Sequence, residues 1–151
     1  MVLELPGGLF GQEDVRETNV ETPTGTSYWS CSGIGFIAQN PETDDIIYNE
    51  GPPDALNADG GANIMFAQVN LPHGAIVTSA ELVGSDGAGT WLLSRVPKVI
   101  AAAETMGTAA TNTADTSISN DTIDNQNYVY VFWISLAAAK RIYGAYITYT
   151  T

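Results

Sequence analysis

From Tyr28 onward, apolar and polar residues alternate in short runs bounded by turn residues, a pattern that predicts strands. Candidate strands cover about 28–38, 45–50, 62–70, 75–84, 89–96, 97–104, 115–119, 127–136 and 140–150. Turn chemistry separates them at Asn40-Pro41, Gly51-Pro52-Pro53, Asn57 to Gly61, Pro72-His73-Gly74 and Gly84 to Gly89. Asn127 to Ile134 is apolar on both faces of a strand, which predicts a central strand buried on each side. The last run predicts Ile142, Gly144, Tyr146 and Thr148 on one face, with Tyr143, Ala145, Ile147 and Tyr149 on the other. Alanine-rich pieces at 101–104 and 136–141 have helical propensity but are too short to hold a helix unaided; the second reads as one turn between strands. The expected fold is all-β, an antiparallel β-sandwich of jelly-roll type.

Before Tyr28 no period holds. Leu3, Leu5, Leu9 and Phe10 form an apolar piece broken by Pro6-Gly7-Gly8 and Gly11, and a polar stretch follows. This divides the chain into an extended N-terminal arm or linker, residues 1–27, and a β-sandwich domain, residues 28–151. Burying those four side chains on a neighbour would offset the entropy of ordering such an arm, so they are the expected assembly contacts.

Charge narrows the function classes. The chain holds 17 Asp plus Glu against 5 Lys plus Arg, a formal net charge of −12. Nucleic-acid binding needs clustered cations and is excluded as an expectation. The single Cys leaves no internal disulfide framework, and the single His no multi-histidine metal centre. No stretch approaches the ~20 apolar residues of a membrane-spanning helix. Met1 to Gly8 lacks the basic start and apolar run of a secretory leader, which points to synthesis in the cytoplasm. The acidic excess falls mostly in residues 1–60, so the C-terminal strands are nearly neutral.

Candidate chemistry is sparse. His73 would have to serve any acid–base scheme, yet it sits in a turn signal with no nucleophile motif nearby. Cys31 lies between serines with no basic neighbour to lower its pKa, as expected of an inert thiol. Asp44 and Asp45, if on a strand, point to opposite faces and cannot act together. Asn57, Asp59, Asn63 and Asp86 supply hard oxygens of the type calcium takes, although turn chemistry explains the same residues; no other cofactor is expected. The three Trp and seven Tyr are the pool for stacking on sugars; Trp29 and Trp91 are the candidates singled out, and Trp133 is assigned to the core.

Several strings carry a resemblance. They are Val69-Asn-Leu-Pro-His-Gly-Ala-Ile-Val-Thr78, Asp86, Trp91-Leu-Leu-Ser-Arg95, Ile123-Asp-Asn125, Tyr128-Val-Tyr130 and Ile142-Tyr-Gly-Ala-Tyr-Ile-Thr-Tyr-Thr150. In this order they resemble β-sandwich modules of bacteriophage structural proteins and bacterial secreted proteins. The resemblance spans about residues 28–150 and implies an accessory or structural role with no catalytic residues. The first functional expectation is therefore a non-enzymatic virion protein, located in the virion. It would be a self-associating jelly-roll module (capsid decoration or cement, head-fibre or tail component) attached through its arm. Homo-oligomerisation is expected, with a trimer by analogy, alongside other virion proteins such as a capsid or tail protein. The alternative is a carbohydrate- or receptor-binding β-sandwich module, marked by an exposed aromatic row. A small hydrolase built on His73 or paired carboxylates is the third reading.

Overall fold

The computed structural model describes residues 25–151. Leu3, Leu5, Leu9 and Phe10 lie outside the described residues. Ten strands follow in order: β1 Thr26–Ser32, β2 Ile37–Ala38, β3 Ile46–Glu50, β4 Pro53–Asn57, β5 Asn63–Val69, β6 Ile76–Gly84, β7 Thr90–Pro97, β8 Glu104–Ala110, β9 Tyr128–Leu136 and β10 Arg141–Thr150. They form two antiparallel five-stranded sheets, an all-β sandwich of jelly-roll type. In the first sheet β6 lies along one edge of β10, while β1 and β4 share the other edge and β3 lies outside β4. The second sheet runs β2-β5-β9-β7-β8.

The alternation read from sequence sets which side chains enter the space between the sheets. Ala55, Leu82, Ala145 and Ile147 come from the first sheet, and Met65, Trp91, Leu93, Phe132 and Ile134 from the second; all are at most 1% exposed. Phe132 is the centre of an aromatic stack. The Trp29 ring lies 6.3 Å from it at 10°, and Trp91 lies 5.3 Å away at 56°.

Several expectations need correction. The run 28–38 is two strands, because a single 3-10 turn at Gly33–Gly35 carries the chain from the first sheet to the second. Gly33 makes that crossing feasible, since a Cβ there would collide with the Ile142 carbonyl and the Asp54 Cα. The strand also starts at Thr26, so Thr26 and Ser27 belong to the sheet and not to the arm. Pro53 does not end structure; it opens β4, where its missing N–H costs no ladder bond. The run 97–104 is mostly loop, and its strand lies later, at β8. Residues 115–119 make a single bridge, Asp115 with Ala80. Neither alanine-rich piece is helical; Ala137 to Lys140 is the expected turn, with Lys140 N–H donating to the Ala137 carbonyl at 3.2 Å.

Side chains replace the missing strand around Asp115. Its carboxylate accepts from the Ser117 hydroxyl at 2.6 Å, from Ser117 N–H at 2.8 Å and from Thr108 N–H at 2.9 Å. These bonds, the Ser117 hydroxyl foremost, hold its pKa below the ordinary value. The stabilisation is therefore present above about pH 4 and lost as pH falls through the lowered value. Thermal melts between about pH 5 and pH 2 should show a shallower loss of stability for Asp115→Asn than for the wild type. Equal slopes would exclude this contribution.

Candidate functional site

The best-defined exposed aromatic surface among the described residues lies on the outer face of the first sheet, and a bulge creates it. The pairing of β10 with β6 shifts register between Ile142 and Gly144. Ile142 is fully buried, while Tyr143 is 41% and Tyr146 49% exposed. A regular strand would send residues 143 and 146 to opposite faces. The bulge brings both rings to the outside, a re-aiming that bulges commonly perform. The faces expected from sequence therefore hold from Gly144 to Thr148 and invert at Ile142 and Tyr143.

Gly144 sets the pose of the second ring. A Cβ at that position would lie 3.2 Å from the Tyr146 hydroxyl oxygen and 3.4 Å from Cε2. The Tyr146 ring thus folds back over the bare glycine, close along the sheet. Around it stand Ser30, opposite Tyr146 on β1, and Ser32, opposite Gly144. Tyr28, opposite Thr148, is 77% exposed and extends the aromatic surface.

A shallow groove of about 360 Å³ runs between Ser30, Ser32, Tyr146, Tyr143 and the Pro52-Pro53 corner. Past Tyr143 and Pro52 it opens into a recess of about 410 Å³ bounded by Asn49, Asp54 and Arg141. Asp54 is buried there, and Arg141 Nη1 donates to both its carboxylate oxygens at 2.9 and 2.8 Å. Asn49 Nδ2 donates to the same carboxylate at 2.6 Å. The polar floor is thereby fixed before any ligand arrives. Cys31 also borders the groove, but burial pushes its thiol up, so it stays protonated and weakly nucleophilic at neutral pH.

The residues singled out from sequence fall elsewhere. Trp91 is fully buried, which removes it as a stacking residue; it heads β7 but points inward, with Nε1 donating to the Thr113 carbonyl at 3.3 Å. Trp29 is half-buried against Phe132 and also faces the core. Trp133, assigned to the core, is half-buried on the outer face of the second sheet, its Nε1 donating to Ser94 Oγ at 3.3 Å. His73 is exposed, accepts from Asn125 N–H through Nδ1 at 3.2 Å, and lies 3.9 Å from Asp124. Asp44 and Asp45 precede β3 in a turn, where Asp44 accepts from Asn40 N–H at 3.1 Å.

Asn57, Asp59 and Asn63 do come together. Asn57 Oδ1 accepts from Asp59 N–H at 3.0 Å and from Asn63 Nδ2 at 3.2 Å. The Asp59 carboxylate accepts from Asn63 Nδ2 and from Asp45 N–H, which lowers its pKa, the Asn63 bond foremost. These oxygens already hold the turn closed through N–H donors. Asp86 is exposed in the β6–β7 turn and shares no hydrogen bond with them. Among the described residues no three His, Cys, Asp or Glu side chains gather at metal-binding distance.

The tyrosines belong to the aromatic pool read from sequence, but singling out Trp29 and Trp91 passed over them. The available signal was Gly144 two residues before Tyr146, in a chain with seven Tyr. The bulge that recruits Tyr143 has no signature in the sequence.

No protein-family model matches the chain, and no curated protein matches it. Solved structures similar to it include the following two. One is the GH26-CBM35 β-(1,4)-mannanase of Podospora anserina, at 10% identity and a TM-score of 0.46, over 82% of this chain and 28% of that one. The other is the C-terminal CBM6 of LamC, a marine laminarinase from Zobellia galactanivorans, at 12% identity and a TM-score of 0.46, over 83% of this chain and all of that one. The chain thus spans little more than a quarter of the mannanase. Identities this low say nothing of a binding site.

Proposed function

We propose that this protein is a non-catalytic β-sandwich module that binds carbohydrate chains along the outer face of its first sheet. The observation behind the reading is the placement of Tyr28, Tyr143 and Tyr146 on one open face, among hydroxyls and a pre-ordered polar recess. A sugar ring offers an apolar C–H face and a rim of hydroxyls. Tyrosine meets both, with its ring and its phenolic O–H. The groove is open and shallow, so it suits an internal stretch of a chain lying across the sheet. The reading of the protein as a virion component rests on the resemblance over residues 28–150, the jelly-roll pattern, the lack of a coherent active site and an arm outside the described residues, whereas the tyrosine face favours carbohydrate.

Native gels cast with soluble neutral polysaccharides (β-glucan, mannan, xylan and galactan in turn) test this. At least one should retard the full chain, and reducing ends should not accumulate. Unchanged mobility in the whole panel, or release of reducing ends, would overturn the proposal.

A further inference from the structure

The second sheet carries a different surface. β9 is central, between β5 and β7, but only one of its faces is covered among the described residues. Val129 is 61% exposed, Val131 and Trp133 are half-buried, and the neighbouring Ile37 on β2 is 65% exposed. Ile37, Phe66, Gln68, Val129 and Val131 line a groove of about 600 Å³. Past Gln68 and Val129 it continues into one of about 280 Å³ bounded by Asn70, Asn125 and Tyr128. In a chain of net charge −12, none of these lining side chains is ionised. A charged ligand gains nothing there, whereas an uncharged apolar one displaces water from aliphatic surface.

Polar groups at the smaller end say more about the ligand. Gln68 Nε2 donates to Asn70 Oδ1 at 3.1 Å, and Asn125 Nδ2 donates to the Leu71 carbonyl at 2.9 Å. Each amide spends one half internally and is thereby oriented. Gln68 Oε1, Asn125 Oδ1 and Asn70 Nδ2 take no partner among the described residues, leaving two acceptors and a donor for a ligand. The sheet edge adds main-chain groups. Gln39 N–H donates to the Ile64 carbonyl at 2.8 Å, so the alternation of an antiparallel ladder aims the main-chain groups of Phe66 and Gln68 at the β2 edge. β2 pairs with Met65 and Phe66 only. Among the described residues Gln68 therefore presents an unpaired N–H and C=O beside the apolar strip.

We infer that this groove binds an extended, uncharged peptide segment with apolar side chains at alternate positions. Alternate residues of a strand point the same way, which matches the strip of Ile37, Phe66 and Val129. The peptide's own amides match the split donors and acceptors of Gln68, Asn70 and Asn125. A sugar fits this groove less well, because its most exposed lining residues, Ile37 and Val129, are aliphatic and one face of Tyr128 is already covered by Arg95, 4.3 Å from the ring centroid. The inference stands apart from the carbohydrate reading and uses none of its residues.

The test is a titration of the ¹⁵N-labelled full chain with the peptide acetyl-Thr-Val-Thr-Val-Thr-Val-Thr-amide, followed by amide shifts. Shifts should centre on Gln68, Asn70, Asn125 and Val129. Val129→Lys, on an exposed site that leaves the core intact, should reduce affinity at least tenfold. A peptide with Pro for the central Val, which loses an N–H donor, should also bind at least tenfold more weakly. The inference is overturned by any of four results: no shifts, shifts on the first sheet instead, binding indifferent to Val129→Lys, or displacement of the peptide by a neutral oligosaccharide. Concentration-dependent shifts at the same residues without peptide would also overturn it, by showing that a second copy covers the groove.

Discussion

Replacing Tyr143 and Tyr146 together with Ala is expected to abolish measurable carbohydrate retention while leaving the sandwich folded. Central aromatic contacts in a binding surface commonly cost about 2 kcal/mol each when truncated, or roughly 30-fold in affinity. Two of them reach about a thousandfold, beyond what a module of modest affinity can lose and still be detected. Both rings are exposed on the face away from the core, so stability should fall by only about 1 kcal/mol, mostly from uncovering Gly144. Gly144→Val is a subtler probe. It keeps every ring but crowds Tyr146 out of its seat, and because its Cβ would also lie 2.9 Å from the Cys31 carbonyl oxygen, it should weaken binding together with some loss of stability in the β1–β10 pairing. Calorimetric titration with whichever polysaccharide retards the wild type reads both variants. Retention equal to wild type in the double variant would remove the tyrosine face as the binding surface.

Trp91→Ala should do the reverse. The indole is fully buried and packs on Phe132 at 5.3 Å, so its loss leaves a large cavity and an orphaned acceptor at Thr113. Truncating a buried Trp costs about 3–5 kcal/mol. For a domain of this size that lowers Tm by roughly 10–15 °C. Below the new midpoint, affinity per folded molecule should be unchanged, because the indole never reaches the outer face. Trp91→Phe, which keeps a ring on Phe132, should recover about half of the loss. A variant with normal Tm and no carbohydrate binding would restore Trp91 as a contact residue and refute its placement in the core.

Much of the fold was legible because burial between two sheets imposes alternation. β5, β6, β7, β9 and β10 lie within a residue or two of where their patterns place them. β4 was lost because Pro53 reads as a break, while in fact it occupies the one strand position that needs no donor. The 3-10 turn at Gly33–Gly35 was lost because a change of sheet leaves the apolar pattern nearly continuous. The site was less legible for a deeper reason. Periodicity reports which side chains face the core, and the tyrosine face depends on where periodicity fails, at the bulge after Ile142. The apolar face of β9 misled in the opposite direction. Val129, Val131 and Trp133 looked like the second buried side of a central strand, and the structure leaves that side open.

The position of β10 has a kinetic consequence. It pairs with β1, β4 and β6, and its register joins Thr26 to Thr150, residues nearly the whole described chain apart. All the ladders of the first sheet except the β3–β4 hairpin therefore wait on one late, non-local docking event. Proteins with pairings of such long sequence separation fold slowly, in milliseconds to seconds. Until β10 arrives, β1, β4 and β6 expose unsatisfied edges that any other strand can join. The interval before that docking is when this chain is most vulnerable to aggregation, and a mutation that only delays β10 would lower the yield of folded protein without altering its final stability.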